Sequence, residues 1–273
     1  NPTPRIFPVP PNTIQCDKTT TNILLQSPST FTSGIIKFKY TSVASGIPGD
    51  ITGFTVSATN LPLNHIIADN LVNHTDQPQT VTYTIIPVSP TGCADGPPQV
   101  VIVTVNPTPR IFPVPPNTIQ CDNTTTNILL QSPSTFTSGL ITFKYTVVAT
   151  GGVTGFTTPV SSLPNNHIIA DNLVNPTDAP QTVTYSIIPV SPTGCTDGPP
   201  QVVIVTVNPT PRIIPVMSQI CYGDSTSISL VSPSRMTQEG VIRFDYNITV
   251  TVPPAVVGGN RISPVSNVAY GSV

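Results

Sequence analysis

The residues best suited to chemistry in this chain are its five cysteines. Cys16 and Cys93 stand near the start and end of one stretch, Cys121 and Cys195 hold the same places in the next, and Cys221 opens a third. A zinc site would need Cys-x-x-Cys or Cys/His ligand spacing, which none of these thiols has. Cysteines this regular read as staples of an oxidising compartment, with buried free thiols as the alternative. The spacing predicts one bond within each complete stretch, Cys16 to Cys93 and Cys121 to Cys195. Cys221 is left unpaired, because the sequence stops at Val273 before its partner's place is reached. In the chain-entropy description, closing so long a loop contributes about 4–5 kcal/mol.

Acid–base chemistry has less to work with. His65 and Asp69 recur as His167 and Asp171, four residues apart and so on one face of a strand. No nucleophile accompanies them, and a polar pair copied by duplication explains the recurrence. Glu239 is the one glutamate, and aspartates in Ala94-Asp95-Gly96 and Thr196-Asp197-Gly198 sit in turn contexts. No catalytic residue, metal ligand or cofactor site is expected. Calcium is the one ion worth weighing, but Asp17, Asp50, Asp69, Asp76 and Asp95 never form Asp-x-Asp, and Asp50 has no counterpart in the second stretch. Phe38, Tyr40, Phe54 and Tyr83, with Phe143, Tyr145, Phe156 and Tyr185, divide between core and sheet surface; without tryptophan they make no glycan platform. Asn73-His74-Thr75, Asn123-Thr124-Thr125 and Asn247-Ile248-Thr249 match the N-glycan sequon, a pattern short enough to arise by chance.

These residues recur because the chain does. Asn-Pro-Thr-Pro-Arg-Ile begins at Asn1, Asn106 and Asn208, and residues 1–17 are identical to 106–122. The expected units are 1–105, 106–207 and an incomplete, divergent 208–273. Each full unit is long enough to bury its own core. Strands are predicted near Arg5 to Val9, Asn22 to Gln26, Ile35 to Val43, Gly53 to Ala58, His65 to Asp69, Thr80 to Val88 and Gln99 to Val105. Phe38-Lys39-Tyr40 and Val81-Thr82-Tyr83-Thr84-Ile85 alternate with a period of two, so one face of the sheet is buried. Turn residues fill Ser27 to Ser33, Gly46 to Asp50 and Ser89 to Pro98. About seven short strands per unit predict an all-β, immunoglobulin-like sandwich in a linear array. The two full units differ in length only where Thr150-Gly151-Gly152 replaces Ser45 to Asp50, a loop in this map.

With 8% charged residues and a net charge of −2, the chain has no basic field for nucleic acid. The 34 prolines suggest a disordered stalk, but 38% hydrophobic content in alternating runs favours packed strands. No apolar run reaches the roughly 20 residues of a membrane-spanning helix. The chain starts on a repeat boundary and stops inside a repeat, so it reads as part of a longer, processed polypeptide. Val100 to Val105 runs directly into Asn106-Pro107-Thr108-Pro109, which predicts a short, stiff joint, with prolines guarding the most aggregation-prone strand.

Ala68 to Asn73, then Pro78 to Pro87, Gly92-Cys93 and Val101 to Pro107, repeated at Pro180 to Pro189 and Gly194-Cys195, resemble the PKD-like repeats of giant Bacteroidetes surface proteins. The nearest likeness is to gliding-motility adhesins of the SprB type. The resemblance implies a secreted array of sandwich domains, exported by the type 9 system and carried along the cell in gliding species. Its implied partners are an external substratum or surface polysaccharide, the outer-membrane gliding or secretion machinery, and neighbouring repeats. Asp224-Ser225-Thr226 resembles the O-glycan acceptor of the same bacteria. The expected function is a non-enzymatic stalk or display rod of a large cell-surface adhesin. A spacer array on a secreted hydrolase and a subunit of an extracellular filament or sheath are the alternatives.

Overall fold

The computed structural model describes residues 2–7, 12–112, 114, 117–158, 160–221, 223–237, 242–247 and 265–269. The first unit contains β1 (Asn12–Cys16), β2 (Thr19–Thr20), β3 (Ile23–Leu24), β4 (Lys37–Ala44), β5 (Ile51–Thr52), β6 (Ser57–Leu61), β7 (Ile66–Ile67), β8 (Asn70–Asn73), β9 (Gln79–Val88) and β10 (Gln99–Asn106). The second unit repeats them as β11 (Asn117–Cys121), β12 (Thr124–Thr125), β13 (Ile128–Leu130), β14 (Thr142–Ala149), β15 (Val160–Pro164), β16 (His167–Ile169), β17 (Asn172–Leu173), β18 (Gln181–Val190) and β19 (Gln201–Asn208). In the third, β20 (Arg243–Tyr246) pairs with β21 (Val265–Ala269). The place of β5 in the second unit is taken by a single bridge between Thr154 and Val174.

Each full unit is an all-β sandwich. A five-stranded sheet, β1-β10-β9-β4-β6 in the first unit and β11-β19-β18-β14-β15 in the second, faces short ladders such as β3-β7 and β2-β8-β5. The long strands form because their apolar residues alternate. Val81, Tyr83 and Ile85 of β9 are fully buried while the residues between them are half-exposed. Val101, Val103 and Val105 of β10 and Phe38 and Tyr40 of β4 share that inner face, and Ile23, Leu25, Ile51, Ile67 and Leu71 cover it from the opposite layer. Fully burying one such side chain contributes about 1.5–3 kcal/mol.

A buried polar contact fixes the distance between the layers. The Tyr83 hydroxyl, on a wholly buried ring, donates to Asp69 Oδ2 at 2.7 Å. Thr55 supplies the rest, its N–H reaching Oδ2 at 3.0 Å and its hydroxyl Oδ1 at 2.8 Å. Tyr185 and Asp171 make the same 2.7 Å bond in the second unit, where the Thr157 hydroxyl donates to Asp171 Oδ1. Burial, then the hydrogen bond to the neighbouring carboxylate, push both phenols well above the usual 10.0.

Two predicted strands are displaced. Arg5 to Phe7 are not strand, and Pro8 and Val9 lie outside the described residues. Prolines at 2, 4, 8, 10 and 11 remove the donors a ladder needs, so pairing begins at Asn12, where N–H groups return. The segment predicted from Gly53 to Ala58 splits into β5 and β6 because Gly53 turns left-handed, with φ of 87°. A Cβ there would stand 1.9 Å from the Asn70 carbonyl oxygen, so only glycine fits. Glu239 and most of 255–273 also lie outside the described residues.

Replacing Tyr83 by Phe leaves the buried Asp69 short of a donor and should lower stability by about 1–3 kcal/mol in chemical denaturation. A phenol held protonated only in the folded state stabilises fully below pH 10.0 and progressively less above it. Unfolding of the parent chain should therefore ease as pH rises past that value, and Tyr83→Phe combined with Tyr185→Phe should flatten the dependence.

Candidate functional site at the junction between units

The parallel pairing of β1 with β10 decides where the cysteines lie. Cys16 is in register with Asn106, at the end of β10 where the chain leaves the unit. β9 runs antiparallel to β10, so the loop after Val88, which holds Cys93, lies at the other end, near Gln99. The eight residues of β10 separate these poles by about 23 Å at 3.3 Å per step. A disulfide needs Cα atoms within about 7 Å. Cys16 and Cys93 therefore cannot pair within the unit, and the same holds for Cys121 and Cys195.

The pairing predicted from spacing is corrected accordingly. Cys16 is bonded to Cys195 of the second unit, across 179 residues, with Cα atoms 5.5 Å apart. Cys93, Cys121 and Cys221 are exposed thiols. Of the four cysteines that spacing assigned to staples, Cys16 and Cys195 are bonded and Cys93 and Cys121 are not, because spacing does not say which pole each occupies; that depends on whether the leading strand runs parallel or antiparallel to its neighbour.

Around this bond the first unit grips the second. Asp76, in the loop before β9, takes a forked bond from Arg110, with Nε to Oδ1 at 2.7 Å and Nη2 to Oδ2 at 2.6 Å. Ser134 donates to Asp76 Oδ1 at 3.2 Å, and the Thr135 N–H reaches the Asp76 carbonyl at 2.8 Å. Asn106, wholly buried, accepts from the Thr137 N–H at 3.0 Å and donates to its hydroxyl at 3.1 Å. Asp17, next to Cys16, accepts from the Asn73 N–H at 2.8 Å and, through Oδ2, from the Thr108 hydroxyl at 2.6 Å. Asn73 in turn donates to the carbonyls of Gln77 and Val105. That amide is buried and doubly bonded, so the sequon at Asn73 offers no free nitrogen in the folded chain.

The second junction repeats the first. Arg212 Nε donates to Asp178 Oδ1 at 2.7 Å, the Arg235 N–H reaches the Asp178 carbonyl at 2.7 Å, and Thr237 N–H reaches Asn208 Oδ1 at 2.9 Å. The Thr210 hydroxyl donates to Asp122 Oδ2 at 2.6 Å. From the sequence Asp76 was weighed only as a calcium ligand, and Asp178 carried no expectation. Each stands 34 residues before its arginine, an offset that duplication alone preserves, so the sequence carried no signal of the contact. A part-exposed ion pair alone contributes about 0–1 kcal/mol, and the grip depends on the fork and its neighbours acting together.

Other candidates are used structurally. Asp69 and Asp171 are committed to tyrosine and threonine partners instead of forming a dyad with His65 or His167. Lys39 bonds Asp95 at 2.7 Å in the loop that carries Cys93, and this contact, with the Ser89 N–H, holds the Asp95 carboxyl below the usual range. Among the described residues no three His, Cys, Asp or Glu side chains converge on a metal position.

The family described as the PKD-like domain matches residues 15–109 and again 118–211. No curated protein matches the sequence. Among solved structures, human CDH23 EC21-23 aligns with 12% identity over 99% of this chain and 90% of its own, with a TM-score of 0.44. Mouse Cadherin-23 EC22-24 aligns at 14% identity, covering 78% of this chain and 68% of its own, with a TM-score of 0.40. The human Desmocollin-1 ectodomain aligns at 14% identity, covering 98% and 55%, with a TM-score of 0.41.

Trypsin digestion without reduction should release residues 6–18 joined to 145–212, and 40–110 carrying an alkylatable thiol. A joined 6–18 and 40–110 would restore the within-unit pairing. Asp95 stabilises the fold above the ordinary carboxylate range and loses that contribution as pH falls through its depressed value, so Asp95→Asn should blunt the acid limb of a stability profile.

Proposed function

The chain belongs to the PKD-like domain family, and from that premise we propose that it is a non-enzymatic stalk segment of a large cell-surface adhesin. Tandem domains of this kind are typical of extracellular repeat arrays. The observation that carries the reading is that one junction is built twice on matching positions, at Asp76 with Arg110 and at Asp178 with Arg212. A clamp repeated at every boundary is what extension requires, because each added unit lengthens the array and multiplies any weak surface contact.

In this reading the units are 1–105, 106–207 and 208–273, and the outer strand faces touch a substratum or surface polysaccharide. The likeness to gliding-motility adhesins supports a moving surface filament driven by outer-membrane machinery. Among the described residues no helix is long and apolar enough to cross a membrane. Export through a type 9 route and display outside the cell follow from the same likeness.

An antibody raised to the first unit should detect, in non-reduced surface protein, a polypeptide many times the 28.7 kDa of this chain. Fragments of that antibody should block attachment of cells to a solid surface. A band no larger than about this chain would sink the giant-array reading and leave a small subunit in its place.

A further inference from the structure

Cys93 and Cys121 are copies of the two sulfurs already joined. Cys121 ends β11 as Cys16 ends β1, and in both places a threonine hydroxyl donates to the cysteine carbonyl at 2.6 Å. The preceding glutamine amide reaches that threonine's carbonyl at 3.0 Å from Gln15 and 2.9 Å from Gln120. Cys93 matches Cys195 as closely. Each follows a left-handed glycine, with φ of 72° at Gly92 and 74° at Gly194, and each Sγ lies 3.3 Å from a threonine hydroxyl. A thiol already in the bonded conformation needs little reordering to pair.

Their surroundings are prepared too. Asp122, adjoining Cys121, is bonded to Thr210 as Asp17 is to Thr108, so Cys121 lies at a pole that receives a following unit. Cys93 lies at the opposite pole. Arg5 adjoins that pole: a Cβ on Gly96 would stand 2.0 Å from the carbonyl oxygen of Pro4. The Arg5 N–H is bonded by Ser29 as that of Arg110 is by Ser134. Among the described residues Arg5 has no carboxylate where Arg110 has Asp76.

We propose that the disulfides of the array run between neighbours. The first-strand cysteine of each unit bonds the loop cysteine of the unit that follows, so Cys121 takes a loop cysteine ahead of it and Cys93 a first-strand cysteine behind it. The partner is a further copy of this unit in the same polypeptide, and the proposal therefore rests on the array reading. Each bond forms as two thiols give up two protons and two electrons to the disulfide of a thiol–disulfide oxidoreductase, which leaves as a dithiol.

The test is tryptic mapping of the native surface polypeptide, alkylated first and never reduced. Residues 111–144 should appear joined to the loop peptide of the following unit and 40–110 to the first-strand peptide of the preceding one, with neither Cys93 nor Cys121 alkylated. Alkylated Cys93 or Cys121, or 40–110 joined to 6–18 or 111–144, overturns the proposal. So do disulfide-linked oligomers that reduction returns to about the mass of this chain. The mass of a separate, reduced portion of the polypeptide separates the two failures. A large polypeptide with within-unit bonds defeats the staples alone, and a small one defeats the array reading as well.

Discussion

The structure depends on one pairing, the parallel run of β1 beside β10. Because the leading strand travels in the same direction as the closing strand, it delivers Cys16 and Asp17 to the pole where the chain departs. An antiparallel partner would have kept them at the entry pole, beside Cys93.

The energetic division follows from this arrangement. Within a unit, apolar alternation on β4, β9 and β10 supplies the stability, and the Tyr83–Asp69 bond sets the layer separation. Between units, the contacts are directional. Short polar side chains, one forked ion pair and a covalent bond hold the joint, each with directional geometry. A hydrophobic joint would tolerate sliding, whereas hydrogen bonds to Asn106, Asp17 and Asp76 fix the register of one unit on the next.

The sandwich itself was legible in the sequence wherever strands were long. Lys37–Ala44, Gln79–Val88 and Gln99–Asn106 lie within a residue or two of the alternating runs because burial of one face imposes a period of two. The two-residue strands at Thr19–Thr20 and Ile51–Thr52 carry no such period and could not be read. Proline-rich Asn1 to Pro11 looked extended, and so suggested a strand one segment too early. The cysteine partnership was out of reach for a different reason. It is a relation between poles of separate units, and periodicity along a chain records faces but not ends. Asp76 was visible as an aspartate at a loop, and its constant offset from an arginine is what duplication preserves for any pair, so nothing in the sequence marked it as an interface residue.

The covalent link between Cys16 and Cys195 also alters how load would travel. Tension applied through the chain on either side of the link passes across two sulfurs, bypassing the backbone between them. A separation of 179 residues corresponds to about 600 Å of extended chain that cannot be paid out while the bond is intact. Unfolding either sandwich would therefore add almost no length. Such a tether behaves as a strut of fixed reach rather than a spring, transmitting a pull promptly instead of absorbing it.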